Sequence, residues 1–141
     1  MDANSMTTIE PAEAQALMAT VVDWAKYDGM RVSSSSGPEI YLAMWGALHY
    51  IPNPATFESV FRDWSGVVRN DYLVDTMPRS SSLSDGSFIA RAAGAPAQYF
   101  VTLRNKLWIP DPATVARFNF APPVSLPPLA LALIPTGPNV S

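Results

Sequence analysis

With 141 residues, 48% of them hydrophobic, the chain has enough apolar material for one compact core. It contains no cysteine, which removes disulfides, thiolate catalysis and cysteine-based metal sites. A net charge of −3 argues against an autonomous basic nucleic-acid binder, but the charge is unevenly spread.

Residues 1–60 carry seven acids (Asp2, Glu10, Glu13, Asp23, Asp28, Glu39, Glu58) against Lys26 and Arg31, a balance of −5. Residues 61–141 carry five acids against seven bases, a balance of +2. Such a dipolar chain suits stacking of acidic on basic faces or presentation of its basic half to an anion. No apolar run approaches the ~18 residues of a membrane span, and MDANSMTTIEPAEA has no signal-peptide pattern, so a soluble protein made in the cytosol is expected.

Residues 11–28 read as a helix, with Pro11 in the first turn and Ala14, Leu17, Met18, Val21, Trp24 and Ala25 at helical spacing. Gly29 stops it, and RVSSSSGPE forms a loop. EIYLAMWGALHY, 39–50, is apolar nearly all round and reads as a short buried helix interrupted by Gly46. IPNP at 51–54 is a break in which Asn53 caps and Pro54 opens a helix running to about Asp75. MPRSSSLSDGS, 77–87, is a second serine-rich loop, and 88–107 reads as helical in two pieces around Gly94 and Pro96. Asp111 caps a short helix ending at Phe118. The proline-rich remainder should be extended, with LALALI docking as a short edge strand. No internal repeat emerges from this pass.

The expected fold is therefore mainly α: an N-terminal arm at 1–10, a small helical-bundle core at 11–118 and an extended C-terminal arm at 119–141. Trp24, Trp45, Trp64 and Trp108 are expected as core anchors. His49, the only histidine, lies in an apolar stretch and reads as a packed core residue. P-loop, GxGxxG, GxSxG and HExxH signatures are all missing, so no enzyme, catalytic residue, metal or cofactor is expected.

The basic complement is seven arginines and two lysines. Arginine's planar fork suits phosphates and ordered ion pairs better than lysine's ammonium does. Arg62, Arg69, Arg79 and Arg91 are candidate phosphate contacts, with Ser33, Ser34, Ser35 and Ser36 as hydroxyl and backbone donors. Intrachain or intersubunit pairing of the same arginines is the alternative.

Read in order, VVDWAKYDGMRVSSSSG at 21–37, PATFESVFRDWSGVVRNDY at 54–72, MPR at 77–79 and FIAR at 88–91 resemble segments of the coat proteins of flexuous filamentous plant viruses, the potyvirus and potexvirus type. The resemblance implies a helical core, a virion subunit synthesised in host cytoplasm, and self-assembly through terminal arms into a filament around single-stranded RNA. In that family a serine, an arginine and an aspartate recur in the RNA groove; Ser33–Ser36 and Arg62 are the nearest matches, and the aspartate has no counterpart after Arg91. No membrane and no small-molecule substrate are expected. The other expectation is a non-catalytic accessory or scaffold subunit of a larger assembly without nucleic acid.

Overall fold

The computed structural model describes residues 22–141, and its architecture is mostly β, which corrects the expectation of a helical bundle. Among the described residues eight strands form two four-stranded sheets, and the helices are short. The first sheet contains β1 (Arg31–Ser33), β2 (Ile40–Met44), β3 (Ala47–Tyr50) and β4 (Val67–Arg69), in the order β3-β2-β1-β4. The second contains β5 (Phe88–Ala92), β6 (Gln98–Thr102), β7 (Asn105–Ile109) and β8 (Val124–Leu126), in the order β7-β6-β5-β8. The helices are α1 (Pro54–Val60), α2 (Asp71–Thr76), α3 (Pro112–Phe118) and α4 (Pro128–Ala132).

The segment 39–50 became a hairpin because it is buried on both faces. Leu42 and Met44 enter one core while Ala43 enters another with Leu48, and all are fully buried. A strand covered on both sides has no polar alternation, so its apolar run looks like a buried helix. The turn at Trp45 (φ 56) and Gly46 (φ 72) has both central residues left-handed, as tight hairpins require. Asp28 accepts hydrogen bonds from both turn amides, at 3.1 and 3.0 Å, and so secures the unfavourable conformation of Trp45.

The expected helix at 88–107 is corrected as well: it is β5, β6 and most of β7, with Gly94 and Pro96 in the link between β5 and β6. The helix expected over 54–75 starts as anticipated, with Asn53 accepting from the Thr56 amide, but it ends at Val60. Phe61 turns to extended backbone, and β4 and α2 follow. Of the helix expected at 11–28, residues 11–21 lie outside the described residues, as does the expected arm at 1–10; Trp24–Tyr27 is a 3-10 turn. The Asp111-capped helix is α3, as expected. The tail at 119–141 is no free extended arm: it supplies β8 and α4, a helix where LALALI was expected as an edge strand, and its Val140 is fully buried in the main core.

The two sheets are copies of one unit, a repeat that the sequence pass missed. A shift of 58 residues carries the pair Arg31–Leu42 onto Ile89–Phe100, Tyr41–Tyr50 onto Tyr99–Trp108, and Met44–Ala47 onto Thr102–Asn105. Closing contacts repeat as well. The Leu48 amide donates to Pro78 O at 2.8 Å, as the Lys106 amide does to Pro135 O. Leu83 and Val140 donate to the carbonyls of Tyr50 and Trp108.

The copies meet at a seam. An antiparallel bridge joins Phe61 to Phe120, flanked by Arg62 N donating to Asn119 O and Ala121 N donating to Val60 O, both at 2.8 Å. Around it Phe57, Phe61, Phe100, Phe118 and Phe120 form a buried aromatic layer with ring centroids 4.9–6.3 Å apart. Truncating Phe120 to alanine should cost about 3–5 kcal/mol by opening a cavity in this layer. Urea unfolding followed by tryptophan fluorescence and by far-ultraviolet circular dichroism should show one coincident, weakened transition, because neither unit keeps its core alone.

Candidate functional site

The expected phosphate contacts do not converge. Arg69 lies in β4 at one edge of the first sheet, and Arg79 bridges to Leu48 beside the opposite edge. Arg79 packs over the Tyr41 ring at 4.4 Å and donates to Tyr41 Oη (3.1 Å) and Val74 O (2.9 Å). Arg91 belongs to the second sheet, with Nη1 3.5 Å from Ala95 O. Arg62 lines a small hollow with Phe57 and Trp64.

The serine run is occupied with itself and with an acid. Ser33 ends β1 opposite Ile40 and Arg69. Ser34 Oγ lies 2.7 Å from Ser36 Oγ and accepts from the Ser36 amide at 3.0 Å. Ser35 gives both its amide (2.7 Å) and its hydroxyl (2.6 Å) to the Asp71 carboxylate. Those bonds, with help from Ser34 and the Arg69 charge, hold the Asp71 carboxyl below the ordinary carboxylate range. The loop thus carries a stabilised negative charge next to its hydroxyls. His49 is 1% exposed, with Nδ1 at 2.7 Å from Ser81 O and Nε2 at 3.1 Å from Met44 O. It is a core group tied to two backbone carbonyls, and its counterpart in the second unit is Leu107.

What the fold does assemble is a pair of clefts on the outside of the two units. The first is lined by residues 38–40, 50–54 and 57, with Trp64 as an added wall, and has a volume of about 230 Å³. The second is lined by residues 96–98, 108–112 and 115, and has a volume of about 440 Å³. Every lining position of the second cleft is a lining position of the first moved by 58 residues. The shared architecture is a strand end carrying an exposed aromatic residue, then an Ile-Pro-polar-Pro corner that starts a helix.

The corner follows from its residues. Proline supplies the fixed φ of the first helical position, and the preceding Asn53 or Asp111 caps the helix. Asn53 accepts from Thr56 N at 2.8 Å and donates to Asp85 at 2.8 Å. Asp111 accepts from the Thr114 amide and hydroxyl, both at 2.8 Å, and these bonds hold its carboxyl below the ordinary range. The exposed aromatics are Tyr50 (36%) and Trp108 (40%), so Trp108 is a cleft wall rather than the core anchor expected of it.

Trp64 has no counterpart, because the link between helix and final strand is two residues shorter in the second unit, where Val124 pairs with Ala90 as Val68 pairs with Val32. Its ring stacks on Phe57 at 3.9 Å and 7°, and its indole donates to Glu58 at 3.1 Å. At 44% exposure it too departs from the expected core position. The added ring narrows the first cleft.

Arg31 holds that ring's loop in place. Its guanidinium lies over Phe61 at 5.0 Å and donates to the carbonyls of Asp63 (3.0 Å) and Ser65 (2.7 Å), on either side of Trp64. Burial pushes the guanidinium below its ordinary pKa, partly opposed by the Asp63 carboxylate. Gly66 leaves room for it, since a Cβ there would sit 2.8 Å from Arg31 Nη2. Asp63 is held low in turn, chiefly by the Ser65 hydroxyl and the Asn119 amide.

The sequence reading missed Arg31, Tyr50 and the cleft corners. The signal was present: IPNPAT at 51–56 and IPDPAT at 109–114 differ at one position. Compared with known protein families, curated proteins and solved structures, the chain matches none.

Two outcomes are expected. Arg31→Met leaves the Asp63 and Ser65 carbonyls without their donor, so the Trp64 indole N–H signal should shift and broaden in a nitrogen-proton spectrum while that of Trp108 stays in place. Asp63, Asp71 and Asp111 all titrate lower in the folded state than the ~3.9 of an unfolded aspartate, so their stabilisation is complete above that value and lost as pH falls through the folded values. The melting temperature should therefore fall on acidification, and Asp111→Asn should make that fall shallower.

Proposed function

We propose that this chain is a non-catalytic binding subunit that holds a partner in two equivalent clefts. The observation that carries the reading is the pair Tyr50 and Trp108: matched positions, both aromatic, both more than a third exposed at the mouth of a cleft. Burying a large apolar ring stabilises a fold by about 1.5–3 kcal/mol. A ring kept partly exposed at the same place in two diverged units, beyond the packing of Tyr50 on Tyr41 at 5.8 Å, is explained by contact with a ligand. The surrounding prolines make the walls rigid, which lowers the entropy that binding must overcome.

This is the accessory-subunit expectation given a site. RNA packaging is the second reading, and it draws on Arg62 and Arg69, which make no side-chain hydrogen bond among the described residues. Glu39 and Asp111 in the cleft linings work against phosphate there.

Nitrogen-proton spectra of the labelled protein separate the two. Adding single-stranded oligouridylate, an oligosaccharide or an extended peptide in turn, one of the latter two should shift backbone signals of residues 50–54 and 108–112 together. Shifts confined to Arg62, Arg69 and their neighbours on adding RNA, or to a single cleft, would refute the two-cleft reading.

A further inference from the structure

We propose that the occupant of each cleft is a proline-rich peptide segment in the polyproline II conformation, carrying a basic residue beside its prolines. The inference rests on the two-cleft reading and names its ligand class.

Shape comes first. The walls are flat rings: Tyr50 beside Pro52 and Pro54 in one unit, Trp108 beside Pro110 and Pro112 in the other. Polyproline II has three residues per turn and ridged, apolar sides, and its backbone carbonyls have no internal partner. Grooves between aromatic side chains accept such ridges, and the preformed helix loses little entropy on binding.

The supply of donors points the same way. Among the described residues the Tyr50 hydroxyl and the Trp108 indole N–H make no hydrogen bond, giving each cleft a free donor at its mouth, and Gln98, whose Oε1 is buried without a partner, adds a side-chain amide to the second. Asn53 spends its amide on Asp85. So few donors suit a segment that presents one carbonyl per contact. A sugar ring brings several hydroxyls into the same space, and these walls would leave most of them unpaired, at a cost of about 1–3 kcal/mol for each buried group.

Charge supplies the rest. No lysine or arginine lines either cleft, while Glu39 lines the first and Asp111 the second. Both hydrogen bonds to Asp111 engage one carboxylate oxygen, Oδ1. The second oxygen is left for a ligand cation, and Arg is the group that fits it best. The wider second cleft, with this carboxylate in its floor, should show the stronger preference for a basic residue. The first, narrowed by Trp64, should rely more on stacking.

The test uses the whole chain and a synthetic ten-residue peptide with two Pro-Pro pairs and one arginine, titrated by calorimetry and nitrogen-proton spectroscopy. Two peptides should bind per chain. Tyr50→Thr and Trp108→Thr, each keeping a strand-favouring residue, should each reduce the stoichiometry to one, with circular dichroism confirming the fold. Asp111→Asn, which preserves the helix cap, should weaken the second site about tenfold, and replacing the peptide arginine with glutamate should do the same. Binding that survives both aromatic substitutions would overturn the proposal, as would failure of the peptide to bind at all. In the latter case a chito- or cello-hexaose titration decides what falls. Shifts at both clefts would discard the peptide and keep the two-cleft reading; no shift at either would discard both.

Discussion

The aromatic seam between the two sheets is the constraint on which the rest of the molecule depends. Phe61 and Phe120 approach as an antiparallel backbone bridge, so the rings at the ends of α1 and α3 converge on one layer with Phe57, Phe100 and Phe118. One buried cluster there takes residues from both units. Each supplies the cover for the other, in the manner of a symmetric dimer whose halves share one chain. Because α1 and α3 enter the seam by their C-terminal ends, their capped N-terminal ends stand at the periphery, and the clefts form there. The position of the candidate sites is thus a consequence of how the core is shared.

With the seam fixed, the units were free to diverge elsewhere. On the outer face of the first sheet, Leu48 packs with Val32, Leu73 and Met77, and Trp24 and Tyr27 extend the cover. The matching position in the second unit is Lys106, whose ammonium donates to Leu131 O at 3.0 Å and lies 5.7 Å from the Tyr99 ring. That exchange turns a buried face into a partly solvated one. Arginine takes a related part at several points. Arg31, Arg79 and Arg117 each donate to backbone carbonyls at loops or helix ends, Arg117 to those of Asp28 (2.7 Å) and Ala25 (3.2 Å). A planar group with several donors can close two such carbonyls at once, which explains the preference for arginine over lysine without invoking nucleic acid.

The sequence showed the helix starts and little else of the fold. Asn53-Pro54 and Asp111-Pro112 were legible because capping is local: a side-chain acceptor, a proline and a helix follow within four residues. β2 was not legible because it is covered on both faces and loses the alternation that marks a half-buried strand, and β5 and β6 because Gly94 and Pro96, which lie in the link between them, read as a break between two helical pieces. The repeat was missed for a different reason. Its units keep the corner IPNPAT/IPDPAT but replace Arg31 by Ile89, His49 by Leu107 and Leu48 by Lys106, so similarity of composition vanishes while register survives to the residue. Of the four segments that carry the resemblance to filament coat proteins, PATFESVFRDWSGVVRNDY reads in sequence as part of one long helix; here it is a short helix, a turn held by Arg31, a strand and the start of a second helix, so the helical-core part of the resemblance does not hold.

The contrast between what diverged and what did not bears on the clefts. At buried positions an exchange can alter polarity and keep burial, as in His49 and Leu107. At the cleft mouths the reverse holds: Tyr50 and Trp108 differ in shape but keep the same property, a large exposed ring above a proline corner. Packing constrains a buried position through volume, and an exposed one is free of that constraint. Tyr50 also packs on the Tyr41 ring at 5.8 Å, and the proposed ligand accounts for an aromatic ring at both mouths beyond that contact. That ligand must also tolerate two different rings and two different widths, because Trp64 closes only the first cleft. A ligand recognised by ridge, ring face and one carbonyl satisfies both clefts, whereas one recognised by a dense polar pattern would need identical donors, and Asn53 and Asp111 do not provide them.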